Sequence, residues 1–269
     1  MKQILISLML LCCIIIPATL TAEEPPGQIA VFPSMFELTI DSKPVNQSIR
    51  LKNMKNKPVT IKTDVYNWTL DQQNNLQTIP ATAQSLDRWM IINPITFTIA
   101  PGQEQVVRFS IRPDVKPDPG EHRAIVYFTE QPGTKDEVAA VEVTFRIGVG
   151  IYAYTEPVRK AGQLQSLTFD RTIPMLKAEI VNNGNVHTRL KGEYAVWEKG
   201  KFPGFGSMNS TGTTASGFIA SGALNNMPVL SGTRRTIVTN LALPANISGG
   251  YTIAVRGELN GQKIEKIFP

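Results

Sequence analysis

Between Val138 and Tyr154 every second residue on one face is apolar. Val141, Val143, Phe145, Ile147, Val149 and Ile151 alternate with Glu142, Thr144, Arg146, Gly148, Gly150 and Tyr152. Alternation at period two predicts a β-strand with one apolar face. Ordinary strands run about five or six residues, whereas this one, at about 3.3 Å per residue, would reach about 55 Å. A strand of that length has backbone and side chains beyond what its own sheet uses. Two readings follow: a core strand that continues into a linker, or a strand whose surplus serves another chain.

The same alternation recurs in shorter pieces. IAVFPSMFELTI from Ile29, SIRLKN, VTIKTDVYNW, ITFTIA, QVVRFSIR and HRAIVYF read as strands, separated by Pro, Gly and Asn. In QVVRFSIR, Val107, Phe109 and Ile111 alternate with Arg108, Ser110 and Arg112, as a half-buried antiparallel strand requires. No stretch carries a sustained helical stripe. With the long run, these make roughly seven strands before Thr155, the pattern of an immunoglobulin-like sandwich. The second half repeats the layout. Asn53 to Trp68 (NMKNKPVTIKTDVYNW) and Asn182 to Trp197 (NNGNVHTRLKGEYAVW) each place an Asn-rich turn before a strand ending in Trp, at identical spacing. Pro101-Gly102 has its counterpart in Ser231-Gly232, and Pro119-Gly120 in Gly249-Gly250. The expected architecture is all-β, two tandem immunoglobulin-like β-sandwich domains spanning 23–155 and 156–269, joined at the polar piece Thr155–Gln163. Trp68 and Trp197 are expected in the two cores, Trp89 at a strand junction, and Gly200–Gly222 in a long surface loop.

Met1 and Lys2 precede ILISLMLLCCIIIP, too short an apolar run for a comfortable membrane span, followed by small and polar residues to Ala22. This predicts a secretory signal peptide over 1–22, cleaved after Ala22. Cys12 and Cys13, the two cysteines of the chain, would leave with it, so the exported domains would hold no disulfide and depend on their cores. Export without membrane insertion is the expectation. Charge adds little: 27 Lys and Arg against 22 Asp and Glu give +5, dispersed and without a basic run, which makes no case for nucleic acid.

Reactive chemistry is sparse. The two histidines, His122 and His187, fall in different halves. No metal-ligand pair at helical spacing, phosphate-cradling glycine loop or G-x-S-x-G elbow occurs, and no two carboxylates stand out for glycoside hydrolysis. The sequence therefore predicts neither catalytic residues, nor a metal, nor a cofactor.

The segment WMIINPITFTIAPGQEQVVRFSIRP, with Pro94, Phe97, Ile99, Pro101, Gly102, Val107 and Arg108 in a P-x-x-F-x-I-x-P-G-x-x-x-x-V-R pattern, resembles the PapD-like periplasmic chaperones of the chaperone–usher pathway. PGEHRAIVYF resembles the strand before the family's donor strand. The resemblance implies two sandwiches in a boomerang arrangement and a periplasmic location. It also implies a non-enzymatic function: capping immature pilus or fimbrial subunits and passing them to an outer-membrane usher. The donated strand would be about 138–154, with Val141, Val143, Phe145, Ile147 and Val149 entering the subunit's groove. The family usually clamps the subunit's terminal carboxylate with an Arg on the first strand and a Lys near the end of the donor strand. Met35 and Tyr152 occupy those places here, which leaves Arg146, Arg108, Arg123 and Tyr152 as candidate stand-ins. The rival reading is a secreted structural or adhesive protein of tandem immunoglobulin-like domains without chaperone activity.

Overall fold

The structure, a computed structural model, describes residues 29–41, 43–132, 144–209, 216–244 and 250–269. The expected signal peptide over 1–22 lies outside them, as do Val141 and Val143.

Two immunoglobulin-like sandwiches are built, one after the other. In the first, β1 (Ile29–Phe32), β3 (Val45–Asn53), β8 (Glu104–Ile111) and β6 (Met90–Asn93) form one sheet in the order β1-β3-β8-β6. The facing sheet runs β2 (Met35–Thr39), β10 (Arg146–Thr155), β9 (Gly120–Glu130), β4 (Val59–Leu70), β5 (Leu76–Ile79), with β7 (Thr96–Ile99) also on β4. Between the sheets lie Ile49, Leu51, Ile61, Val107, Phe109, Ile111, Val126 and Phe128, all buried. Each such side chain contributes about 1.5–3 kcal/mol on leaving water. In the second sandwich β11 (Gly162–Asp170), β12 (Met175–Asn182) and β15 (Arg234–Asn240) face β14 (Phe218–Ala223), β13 (Lys191–Glu198), β16 (Tyr251–Leu259) and β17 (Gln262–Phe268). Among the described residues no helix is long and apolar enough to cross a membrane.

The run expected as one strand from Ile29 is two. Pro33 has no N–H to give a ladder, and the chain changes sheets there: β1 pairs with β3, and β2 pairs in parallel with β10. A single helical turn, α1 (Leu86–Trp89), and the short β5 and β6 also escape the sequence pattern. Trp89 ends that turn at the entry to β6, buried in the core with its Nε1 donating to the Ala83 carbonyl at 3.1 Å.

The repeat is written in hydrogen bonds. The Asn53 Nδ2 donates to the Lys57 and Ile99 carbonyls, and its Oδ1 accepts the Lys55 N–H. The Asn182 Nδ2 donates to Val186 and Val229, and its Oδ1 accepts the Gly184 N–H. The Gly102 N–H bonds the Asn53 carbonyl, and Gly232 does the same to Asn182. Each asparagine is thus a buried latch tying the start of its turn to a strand end.

Trp68 and Trp197, expected in the two cores, are both buried, but neither lies in a sandwich core. Trp197 packs on the outer face of its sheet under Phe202, Phe205, Met208 and Phe218, so the loop after β13 is pinned there rather than simply exposed. Trp68 lies on the outer face of the first sandwich, in a cluster with Leu70, Ile125 and Tyr152 that Leu230 of the second sandwich completes. That cluster is the joint between the sandwiches. Polar bonds flank it: the Asn74 Nδ2 donates to the Thr236 carbonyl at 3.1 Å, and Arg235 donates to the Leu70 and Asp71 carbonyls. On its other flank the Glu121 N–H donates to the Asn185 carbonyl at 3.0 Å.

Gly120 admits this approach. Its φ is +120°, and a Cβ there would stand 2.6 Å from the Asn185 carbonyl oxygen. Gly120→Ala is expected to destabilise the joint by about 1–3 kcal/mol, seen as faster amide exchange at Glu121 and Asn185 with the two cores unchanged.

Candidate functional site

The long strand changes surroundings along its length. β9 pairs with all of β10, from Arg146 opposite Thr129 to Thr155 opposite Gly120. On the other edge β2 pairs only with Gly150–Tyr154. Among the described residues nothing pairs with that edge over Arg146–Val149. A row of backbone groups is therefore open beside the mouth of the first sandwich.

Burial follows the same gradient. Ile151 and Ala153 are sealed in the core, and so is Val149, which is 0 % exposed. Ile147 and Phe145 are only half-buried against the core's end. Of the expected groove-filling row, Val149 thus serves the protein's own core, because both sheets still overlap at its level. Phe145 and Ile147 present apolar surface beside the open edge. Phe145 is held where the strand enters: its carbonyl accepts the Glu130 N–H at 3.0 Å, and its N–H donates to the Glu130 carboxylate at 3.3 Å. Lys55 bonds that carboxylate at 2.7 Å and lies 5.3 Å from the Phe145 ring centroid.

The even-numbered residues of β10 point to the outer face. The Arg146 guanidinium stacks 3.8 Å over the Tyr127 ring. Gly148 leaves room for Ile125 and Tyr127, which would stand within about 3 Å of a Cβ there. Tyr152 lies at the joint, edge-on to Trp68 at 5.9 Å and 4.3 Å from the His187 ring.

The four candidate stand-ins are not brought together. Arg108 lies in the opposite sheet with its side chain exposed. Arg146 belongs to the tyrosine stack. Arg123 reaches the joint, 5.4 Å from the Trp68 ring, where it donates to the Trp68 carbonyl at 3.0 Å and pairs with Glu121. Tyr152 is the other one at the joint. A cation that the sequence did not single out meets it there. Arg189, from the turn before β13, donates through Nη2 to the Tyr152 hydroxyl at 2.8 Å and approaches the Met35 sulfur at 3.5 Å. It therefore touches both residues that replace the expected basic pair. Sequence carries no signal for this, since Arg189 lies 154 residues from Met35. Met35, Trp68, Leu70, Ile125, Tyr152 and Arg189 help line a pocket of about 270 Å³ at the joint.

Charge at the joint is arranged around His187. Its backbone N–H and Nδ1 both bond the Glu121 carboxylate, at 2.9 and 2.5 Å. Burial raises the Glu121 pKa, but the hydrogen bonds from His187 and the Arg123 guanidinium nearby outweigh that, holding the group below its ordinary 4.5. Burial pushes the Tyr152 and Tyr154 hydroxyls up, with neighbouring Glu37 adding to the effect at Tyr154. A carboxylate whose pKa is lowered by folding contributes stability above its ordinary value and loses it as pH falls through the folded value. The joint is expected to weaken below about pH 4.5. Melting curves of the wild type and Glu121→Gln should differ at neutral pH and converge in acid.

Residues 30–152 match the family described as pili and flagellar-assembly chaperone, PapD N-terminal domain. The chain carries a PapD-type chaperone domain. The resemblance drawn from Pro94 to Arg108 is established by that match. No curated protein matches the chain. Several solved structures share its course at low identity. A chain of the CsuC–CsuE chaperone–tip adhesion subunit complex of Acinetobacter baumannii is 15% identical, with TM-score 0.47, covering 90% of this chain and 98% of its own. A chain of the Salmonella enterica SafA pilin–SafB chaperone complex is 12% identical, with TM-score 0.46, covering 90% and 96%. The Pseudomonas aeruginosa CupB2 chaperone is 11% identical, with TM-score 0.43, covering 88% and 98%. In the PapD-type domain, then, the open edge at Arg146–Val149 and the pocket beneath Tyr152 lie along one strand.

Proposed function

We propose that this protein is a periplasmic, non-enzymatic chaperone. It caps immature pilus or fimbrial subunits with the strand leading through Phe145 to Val149, and passes them to an outer-membrane usher. The observation that carries the reading is the edge of Arg146–Val149, unpaired among the described residues, beside half-buried Phe145 and Ile147. A subunit strand added there gains ladder hydrogen bonds, while Phe145 and Ile147 fill its groove, β-augmentation in which alternate side chains give specificity. Each side chain so buried contributes about 1.5–3 kcal/mol. In the sequence, Val141 and Val143 continue the same alternation. The subunit's terminal carboxylate would enter the joint pocket, where the Tyr152 hydroxyl and the Arg189 guanidinium are the available donors.

Amide exchange tests this. On adding a purified pilus subunit that lacks its last strand, the N–H groups on the open edge of Arg146–Val149 should become protected, with β13 and β16 unchanged. Binding without protection at this edge would rule out strand donation here and favour a structural or adhesive function.

A further inference from the structure

Arg189 is a cation without an acid. Its Nη1 donates to the Asn226 carbonyl at 2.8 Å, its Nη2 to the Tyr152 hydroxyl, and its Nε to the His187 Nε2 at 3.1 Å. These acceptors, and the Met35 sulfur 3.5 Å from Nη2, are neutral, and among the described residues Arg189 forms no ion pair. A half-buried guanidinium beside Trp68, Leu70 and Ile125 favours an anion that brings acceptor oxygens of its own.

The bond from the Arg189 Nε fixes the state of the histidine. Nε2 accepts, so the ring proton sits on Nδ1, where it is donated to Glu121. The Glu121 side chain is buried and also receives the His187 backbone N–H. The chain of contacts therefore starts in the first sandwich at β9 and crosses to His187 and Arg189 in the second. It returns to the first at Tyr152 and Met35.

Resting on the capture reading above, we infer that His187 is the positioning residue of the joint pocket. Held by Glu121, it aims the second domain's Arg189 at the carboxylate of a ligand bound along the first domain's strand. The cation missing from the first sandwich is thus supplied across the joint, and anion recognition depends on the two domains keeping their relative placement. Glu37 Oε1 lies 3.6 Å from the same His187 Nε2.

The probe is one synthetic peptide of alternating valine and threonine, with a free C-terminal carboxylate or as the C-terminal amide. Wild type should bind the carboxylate form at least about tenfold more tightly than the amide. Arg189→Gln should abolish the preference. His187→Phe should reduce it severalfold with the amide's Kd unchanged. His187→Gln, which keeps an acceptor for Arg189 and a donor for Glu121, should restore it. Melting curves of each variant confirm folding. If His187→Phe keeps the full preference while Arg189→Gln loses it, the positioning inference is overturned and the capture reading stands. If Arg189→Gln also keeps it, the inference falls together with the Arg189 anchor while strand capture stands; if wild type binds neither peptide, both are overturned.

Discussion

Replacing Phe145 and Ile147 together with glutamate leaves the first sandwich folded and removes subunit capture. Both side chains lie only half-buried against the end of the core, so charging them costs the free protein little. In the complex each would lose about 1.5–3 kcal/mol of burial, together about two to four decades in affinity. Val149→Glu is the opposite case. Its side chain is fully enclosed in the core, and an unpaired carboxylate there should unfold the domain. Thermal melting and co-purification with a subunit separate the two outcomes. Capture that survived Phe145→Glu with Ile147→Glu would mean that the subunit engages some other edge.

The contrast between Val149 and Ile147 marks how far the sequence could be read. Period-two alternation gives every odd residue from Val141 to Ile151 the same apolar face. It does not say where the chain's own sheets cease to cover that face. The limit is set by β2, which joins β10 only at Gly150 because the chain changes sheets at Pro33. Pro33 marks a break in IAVFPSMFELTI, but both halves alternate equally well, and alternation does not say that the second half pairs in another sheet. Trp68 shows the same limit from another direction. Along β4 the odd residues Val59 and Ile61 face the core, while Trp68 and Leu70, of opposite parity, are buried against the joint. A strand covered on one face at its start and on the other at its end cannot be resolved from its alternation alone. The pocket cation was further out of reach. Arg189 meets Tyr152 and Met35 only through the packing of two domains, and no local pattern encodes that meeting.

What the sequence did carry was the repeated asparagine turn, and it predicts a matched pair of effects. Asn53 and Asn182 are buried, each donating twice to carbonyls and accepting once. Truncation to alanine removes two donated bonds and one accepted bond in each case, one of them reaching to a distant strand end at Ile99 or Val229; Val229 keeps the Thr188 N–H, while the Val186 carbonyl and the Gly184 N–H lose the partner that Asn182 gave them. An unsatisfied buried group costs about 1–3 kcal/mol, so each alanine variant should lose about 2–4 kcal/mol. Aspartate should be worse at neutral pH, since it sets a carboxylate against the same two carbonyl oxygens and has no amide hydrogen to offer. Lowering the pH to protonate it should recover part of the loss. In denaturant the two sandwiches provide an internal control: Asn53→Ala should shift the transition of the first, and Asn182→Ala that of the second. A loss below about 0.5 kcal/mol in either would mean that water replaces the amide at no cost, and the latch would then be a consequence of the turn rather than its cause.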